Sequence, residues 1–315
     1  MTYSSGGLIQ ATDYNTFVGT NPVNTSGVLN SVWGTGNGNA GYGQSAVSQS
    51  AAAGGTVTAT QWSSLINTLN NVYRHQSGSN SALSAVSAGD TVTYLSALSG
   101  ALTTIYTNRL SAASQGTTTT GATFSPAFSV GNTYAAQTWT FTRTIAFSSG
   151  NAARYFFNAG GQLNFVTISA VNNDASARSG DWVSLIGTNL VNISAIKQGS
   201  NGGKSGTGGT VNTNNTALGY WQCTTLAQTI ADITSTTYAY TGDYVRVAIR
   251  TSAANASGNG DNGSTVYLDF TVYSQDHDSL HLFNQTMNVT WNHRIDVVYP
   301  ETTNLTSSWG TATIT

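Results

Sequence analysis

Two periods of apolar residues divide the chain. Up to about residue 110 they recur every three to four positions, and beyond about residue 125 they recur every two. In the first stretch Trp62, Leu65, Ile66, Leu69 and Val72 form one stripe. This predicts a helix over 60–75, with Thr58 or Thr60 as its cap. Leu95, Leu98, Leu102, Ile105 and Tyr106 predict a second helix over about 93–110. A shorter helix, capped by Thr12 or Asp13, is expected through about Val18. Residues 32–55 are rich in Gly, Asn, Ser and Ala and read as loop. Ala53-Gly-Gly-Thr-Val-Thr58 recurs as Ala88-Gly-Asp-Thr-Val-Thr93, 35 positions later, each time ahead of a helix. Two copies are too few for a solenoid.

In the second stretch the apolar residues alternate with polar ones. The alternating sets are Trp139, Phe141, Arg143, Ile145 and Phe147; Leu163, Phe165 and Thr167; Val245, Val247 and Ile249; Val266, Leu268, Phe270 and Val272; and Met287, Val289, Trp291 and His293. That is the period of half-buried antiparallel strands. Gly258-Asn-Gly-Asp-Asn-Gly263 reads as a hairpin-type turn. One helix is expected among the strands, over about 181–190. Trp182, Leu185, Ile186 and Leu190 would share a face, Ser179 or Asp181 would cap it, and Gly187 weakens it. The expected fold class is α+β: a small helical N-terminal domain (1–110), a linker (111–125) and a mainly antiparallel β-sandwich domain (126–315). The linker, Ser111-Ala-Ala-Ser-Gln-Gly-Thr-Thr-Thr-Thr-Gly-Ala-Thr123, contains no large apolar residue.

Composition narrows what such a fold is for. Only 7% of the residues are charged and the net charge is −2, while Thr, Ser and Asn number 49, 37 and 30. The surface is therefore wetted by hydroxyls and amides. A chain this weakly charged has no basic field for nucleic acid. No apolar run approaches the roughly 20 residues that span a bilayer, and Met1-Thr-Tyr-Ser-Ser5 does not open a secretory signal. With 39% hydrophobic and 10% aromatic residues, the chain is too apolar for disorder. The single cysteine, Cys223, excludes an internal disulfide.

Candidate chemistry is sparse. Gly199-Ser-Asn-Gly-Gly-Lys204-Ser205 is one residue short of a phosphate loop, because Gln198 stands where the first glycine is needed. Asp276-His277-Asp278 with His281 clusters metal-ligand types, and also reads as a polar loop. Glu301 is the one glutamate, and Asp174, Asp181, Asp232, Asp243, Asp261 and Asp269 fall near expected turns or on solvent faces. No pair of carboxylates suggests glycosidase chemistry. There is no nucleophile elbow, and no residue set implies a cofactor. His293 shares a strand face with Val289 and Trp291 and reads as a hydrogen-bonded interior histidine or a subunit contact. Tyr267 and Tyr273 lie on an expected outer face, near Tyr238, Tyr240 and Tyr244. They would either stack on sugar rings or pack between subunits.

Ala153-Arg154-Tyr155-Phe156-Phe157-Asn158-Ala159-Gly160-Gly161-Gln162-Leu163 resembles a segment of virion structural proteins of tailed phages, the marine and cyanobacterial type included. Leu8-Ile-Gln-Ala-Thr-Asp-Tyr-Asn15, Gly34-Thr-Gly-Asn-Gly-Asn-Ala-Gly-Tyr-Gly-Gln44 and Asn292-His-Arg-Ile-Asp-Val-Val-Tyr-Pro-Glu-Thr-Thr-Asn-Leu305 are similar to the same group. The resemblance implies a place in a virion assembled in the host cytoplasm, and no catalytic residue. It implies a non-enzymatic component of the tail, baseplate or fibre, working by self-assembly (a homotrimer is expected) and by docking on other virion proteins. The alternatives are a fibre module that binds a receptor or host surface glycan, and a capsid or head decoration protein. On the residues themselves, Arg154, Tyr155, Phe156, Phe157, Gly160 and Gly161 read as a strand, bulge and turn in the sandwich core, or as a subunit contact. The consecutive aromatics need cover on both faces, and the glycines allow positive φ or close approach.

Overall fold

A computed structural model of the protein describes residues 11–49, 55–93, 95–131, 136–187, 190–196, 209–215, 217–237, 240–255, 263–275 and 286–315. Three helices come first: α1 (Ala11–Val18), α2 (Ala59–Ser77) and α3 (Leu95–Thr107). The stripe read from the sequence is the buried face of α2. A capping box starts that helix: Thr58 Oγ1 accepts from Gln61 N–H, and Gln61 Oε1 accepts from Thr58 N–H. Gly78, with φ 76°, ends it. Tyr14 and Phe17 of α1 pack on Trp62 at ring distances of 6.1 and 6.2 Å.

Two antiparallel sheets follow, so the chain is α+β with a helical N-terminal part and a mainly β remainder. The first sheet joins β1 (Gln115–Thr119), β10 (Met287–Pro300), β4 (Gln162–Asn172) and β5 (Leu190–Ile193) in that order, with β2 (Ala127–Val130) also on β10. The second runs β11 (Thr313–Ile314), β3 (Gln137–Ala146), β9 (Thr265–Ser274), β8 (Tyr244–Thr251), β7 (Gln228–Ser235), β6 (Gly209–Asn214). They face each other as a sandwich: Phe165 and Trp291 of the first meet Phe270 of the second at 4.7 and 5.7 Å. Residues of the expected linker are built into the first sheet, as β1 and as a bridge between Phe124 and His293.

Two helices lie between strands in the chain order. One is α4 (Gly150–Asn158), which carries the chain from β3 to β4. The sequence reading of a strand, bulge and turn here is therefore corrected: Arg154, Tyr155, Phe156 and Phe157 are helical and buried. Its polar residues, Asn151, Arg154 and Asn158, do fall at helical spacing on one face, but that face is buried against a loop, and the run Tyr155-Phe156-Phe157 reads as a strand. The other is α5 (Ala177–Ile186), capped by Ser176 and ended at Gly187, four residues earlier at each end than the spacing suggested. One continuous apolar cluster runs from Tyr14 in α1 through the sandwich to Trp309. No helix among the described residues is long and apolar enough to cross a membrane.

Candidate functional site

The first candidate is built on α4. Ser149 starts it, its hydroxyl accepting from Ala152 N–H at 3.0 Å. Arg154 and Asn158, one turn apart, then share a face. That face meets the glycine-rich loop 34–43, whose Gly36, Gly38, Gly41 and Gly43 all have positive φ. The turns aim carbonyls inward. The Arg154 guanidinium donates to the carbonyls of Thr35 (2.6 Å), Ala40 (3.0 Å) and Gly36 (3.2 Å), and its Nε to Asn151 Oδ1 (2.8 Å). Asn158 Nδ2 donates to the carbonyls of Gly38 and Gly41, and its Oδ1 accepts from Trp221 Nε1. Tyr155 stacks under the guanidinium at 4.5 Å and lies against Gly43, where a Cβ would stand 2.4 Å from its ring.

The remaining residues of this segment close the same junction. Phe156 meets Tyr299 edge-on at 5.7 Å, and Phe157 stacks on Tyr220 at 4.2 Å. Gly160 has φ 87°, and a Cβ on Gly161 would press into the Phe156 ring at 2.7 Å. The loop also grips the C-terminal region. Gln44 Nε2 donates to the Thr306 carbonyl, Gln44 Oε1 accepts from Thr306 N–H, and Ser308 Oγ donates to the Tyr42 carbonyl. The phage-like strings 34–44 and 153–163 thus meet here, and 292–305 reaches the same place through Tyr299.

Two histidines mark the junction and the sandwich interior. His75 Nδ1 lies 2.9 Å from Glu301 Oε1. Glu301 also accepts from the N–H groups of Thr303 and Asn304 and from the Asn304 side chain. Burial pushes its carboxyl up, but the bonds from His75 and Asn304 outweigh this and hold it down at about 2. An ionised carboxylate only accepts, so Nδ1 carries the proton. His75 is fully buried, and among the described residues its Nε2 has no hydrogen-bond partner. His293 sits among Phe124, Phe141, Phe165, Phe270 and Trp291. Arg143 Nε donates to its Nε2 at 3.0 Å. Burial, then the Arg143 charge, lowers it to about 4. Of the two readings of His293, the interior one describes its place.

A buried polar cluster that the sequence did not reveal fixes α5. Arg178 Nη2 donates to Ser274 Oγ (2.6 Å), Ser274 Oγ contacts the Asp243 carboxylate (3.3 Å), and Asp181 Oδ2 accepts from Ser235 Oγ (2.8 Å). Asp181, Asp232 and Asp243 are buried. Asp181 lies inside α5 rather than at a turn or on a solvent face, while Asp243 directly follows the turn at 241–242 and Asp232 lies on the outer face of the second sheet beneath Arg246. Arg178 and Asp181 are three apart on one helix, but Ser235, Asp243 and Ser274 come from distant strands, so no local spacing announces them.

The second candidate is the outer face of the second sheet. Register aligns Thr138, Tyr273 and Tyr244 in one row, and Thr144, Tyr267 and Arg250 in another. Tyr273 stacks on Tyr244 at 4.9 Å, Arg250 lies 4.1 Å over the Tyr267 ring, and Arg246 lies 4.9 Å over Tyr244. The charges are paired in the plane of the face: Arg246 with Asp232 at 2.6 Å and Arg250 with Asp269 at 2.7 Å. One ring face of each expected sugar-stacking tyrosine is thus already occupied. Tyr240 is buried, and Tyr238 lies outside the described residues.

The two repeat copies meet at a cavity of about 630 Å³ lined by Val57, Trp62, Val86 and Val92, with Asp90 at its rim. Asp90 accepts from Ser87 N–H. The phosphate-loop-like string at 199–205, the 276–281 cluster, most of the turn at 258–263 and Leu8–Gln10 lie outside the described residues. Among the described residues no three His, Cys, Asp or Glu side chains gather where they could hold a metal. Comparison with protein-family models, with curated proteins and with solved structures gives no match in any of the three.

Proposed function

We propose that this chain is a non-enzymatic structural component of a tailed phage particle, in the tail, baseplate or fibre apparatus. It works by docking on other virion proteins and by self-association in the threefold order of fibre-type proteins. The observation that carries this reading is the convergence of the phage-like strings on one interlocked junction. Arg154 and Asn158 hold the loop 34–43, Tyr299 of the third string meets Phe156, and Gln44 and Tyr42 bond Thr306 and Ser308 just past that string's end. A resemblance concentrated in such residues marks a common architecture rather than a common reaction. His75, Glu301, Arg178, Asp181 and Asp243 are likewise consumed by the fold. The outer face of the second sheet carries the paired charges Arg246–Asp232 and Arg250–Asp269 beside threonine hydroxyls. Such a face meets neighbours at little cost in ion desolvation.

The test is antibody labelling of intact, purified particles, viewed by electron microscopy. Label confined to the tail or its tip supports the proposal. Label on the head moves the chain to capsid decoration. Its absence from particles, with the chain recovered only in the unassembled fraction, overturns the reading.

A further inference from the structure

The edges of the two sheets are not equivalent. β5 has four residues, β6 is broken by a register shift between Val211 and Thr213, and β1 by one between Gln115 and Thr118. Short and bulged edges of this kind resist pairing with another chain. The outer edge of β3 is different. It spans ten residues and pairs with β9 without a break in register. Among the described residues, β11 and Thr315 cover it only at Thr144, Ile145 and Ala146.

The direction of its open backbone groups follows from one contact. Thr144 exchanges N–H···O bonds with Thr315, at 2.8 and 2.9 Å, so its polar groups point away from β9. Successive residues of a strand alternate, so Thr142, Thr140 and Thr138 also present N–H and C=O outward. Residues 137–142 contain no charge and no proline. The one charged side chain of β3, Arg143, turns inward to His293. The inner-face side chains show the same incompleteness: Ile145, under β11, is fully buried, while Trp139 and Phe141 remain half-buried.

We infer that this open edge pairs with the same edge of a second copy of the chain, antiparallel, about a twofold axis at Thr140. That register centres the open stretch on itself. Thr138 faces Thr142 of the second copy on the outer face, and Trp139 faces its Phe141 on the inner one. The facing residues are uncharged, and threonine pairs and aromatic pairs are favourable cross-strand neighbours. A twofold contact joins one threefold oligomer to another and depends neither on that order nor on a place in a particle. Strand pairing alone buries less than the roughly 1,200 Å² of a standard interface, so its affinity in dilute solution is low and a covalent trap reads it best.

Single cysteines supply the trap. Cys223 is a silent background, being buried with its thiol pushed up to about 12. In the inferred register the two copies of residue 140 have Cα atoms about 5.5 Å apart, within disulfide reach. The two copies of residue 142 lie about 14 Å apart, beyond it. Under mild oxidation of the purified chain, Thr140→Cys is expected to give a dimer on a non-reducing denaturing gel. Thr142→Cys alone gives about tenfold less or none, and a mixture of Thr138→Cys with Thr142→Cys gives the dimer again. Adding Thr142→Lys to Thr140→Cys suppresses the dimer, with the circular dichroism melt unchanged. Absence of a Thr140→Cys dimer, or equal yields from Thr140→Cys and Thr142→Cys, overturns the inference.

Discussion

Replacing Arg154 by methionine isolates what the junction contributes. Methionine keeps most of the aliphatic stem and removes the charged fork together with its contact on the Tyr155 ring. Arg154 is 4% exposed, so the carbonyls of Thr35, Gly36 and Ala40 lose their donor where water has little access. Each buried acceptor left without a donor costs about 1–3 kcal/mol. The three together would approach about 6 kcal/mol, but the variant no longer has to desolvate a guanidinium, which offsets part of the loss. The expected net destabilisation is about 4 kcal/mol, in the range that marks a broken buried network. Urea unfolding followed by tryptophan fluorescence measures it, as a lower midpoint at unchanged slope. Asn158→Ala acts on the same loop, so the double variant should lose less than the sum of the two singles. A loss below about 1 kcal/mol in Arg154→Met, or strict additivity with Asn158→Ala, would show that the loop does not depend on this fork.

Three further outcomes follow from the structure. His293 titrates at about 4 in the fold against 6.5 when exposed, so the unfolded chain binds a proton that the folded one refuses. Stability is therefore full above pH 6.5 and falls by about 3 kcal/mol as pH drops to about 4; in His293→Phe that part of the pH dependence should vanish from urea titrations. Glu301, held at about 2 instead of 4.5, adds a second loss of about 3 kcal/mol as pH falls from 4.5 to about 2. Glu301→Gln should be less stable at pH 7 and flatter in that acid window. Gly43→Ala combines φ 71° with a Cβ 2.4 Å from the Tyr155 ring and should cost at least about 2 kcal/mol by thermal melting, where a neutral result would mean that the ring moves freely.

The elements whose side chains alternate between core and water were legible in the sequence. The stripe Trp62–Leu65–Ile66–Leu69–Val72 and the alternations in β3, β8, β9 and β10 record burial directly. Where both sides of an element are buried, or neither is, the record fails. In α4 the helical signs, Ser149 before it and Asn151, Arg154 and Asn158 on one face, span only nine residues, seven of them buried, and the aromatic run suggested a strand instead. β1, Gln-Gly-Thr-Thr-Thr, has no apolar side and exists because its backbone bonds to β10. Gly116 lets it approach, since a Cβ there would stand 2.4 Å from the Pro300 carbonyl. The segments 34–44 and 153–163 were legible as notable strings, but not as partners. A contact between Arg154 and Thr35 spans 119 positions and leaves no local period.

The closure of the N-terminal loop on the C-terminal region sets an order of events during synthesis. Gln44 and Thr306 are 262 residues apart, and β10 is the common partner of β1, β2 and β4. At typical translation speeds of 5–20 residues per second, the ribosome delivers Thr306 roughly 13 to 50 s after Gln44. Throughout that interval the first sheet lacks its central strand, and β1, β2 and the β10-facing edge of β4 wait without it. So high a share of distant contacts also makes folding slow once the chain is whole. The nascent chain therefore passes through a long period in which open strand edges are exposed to pairing with other chains before its own last strand arrives.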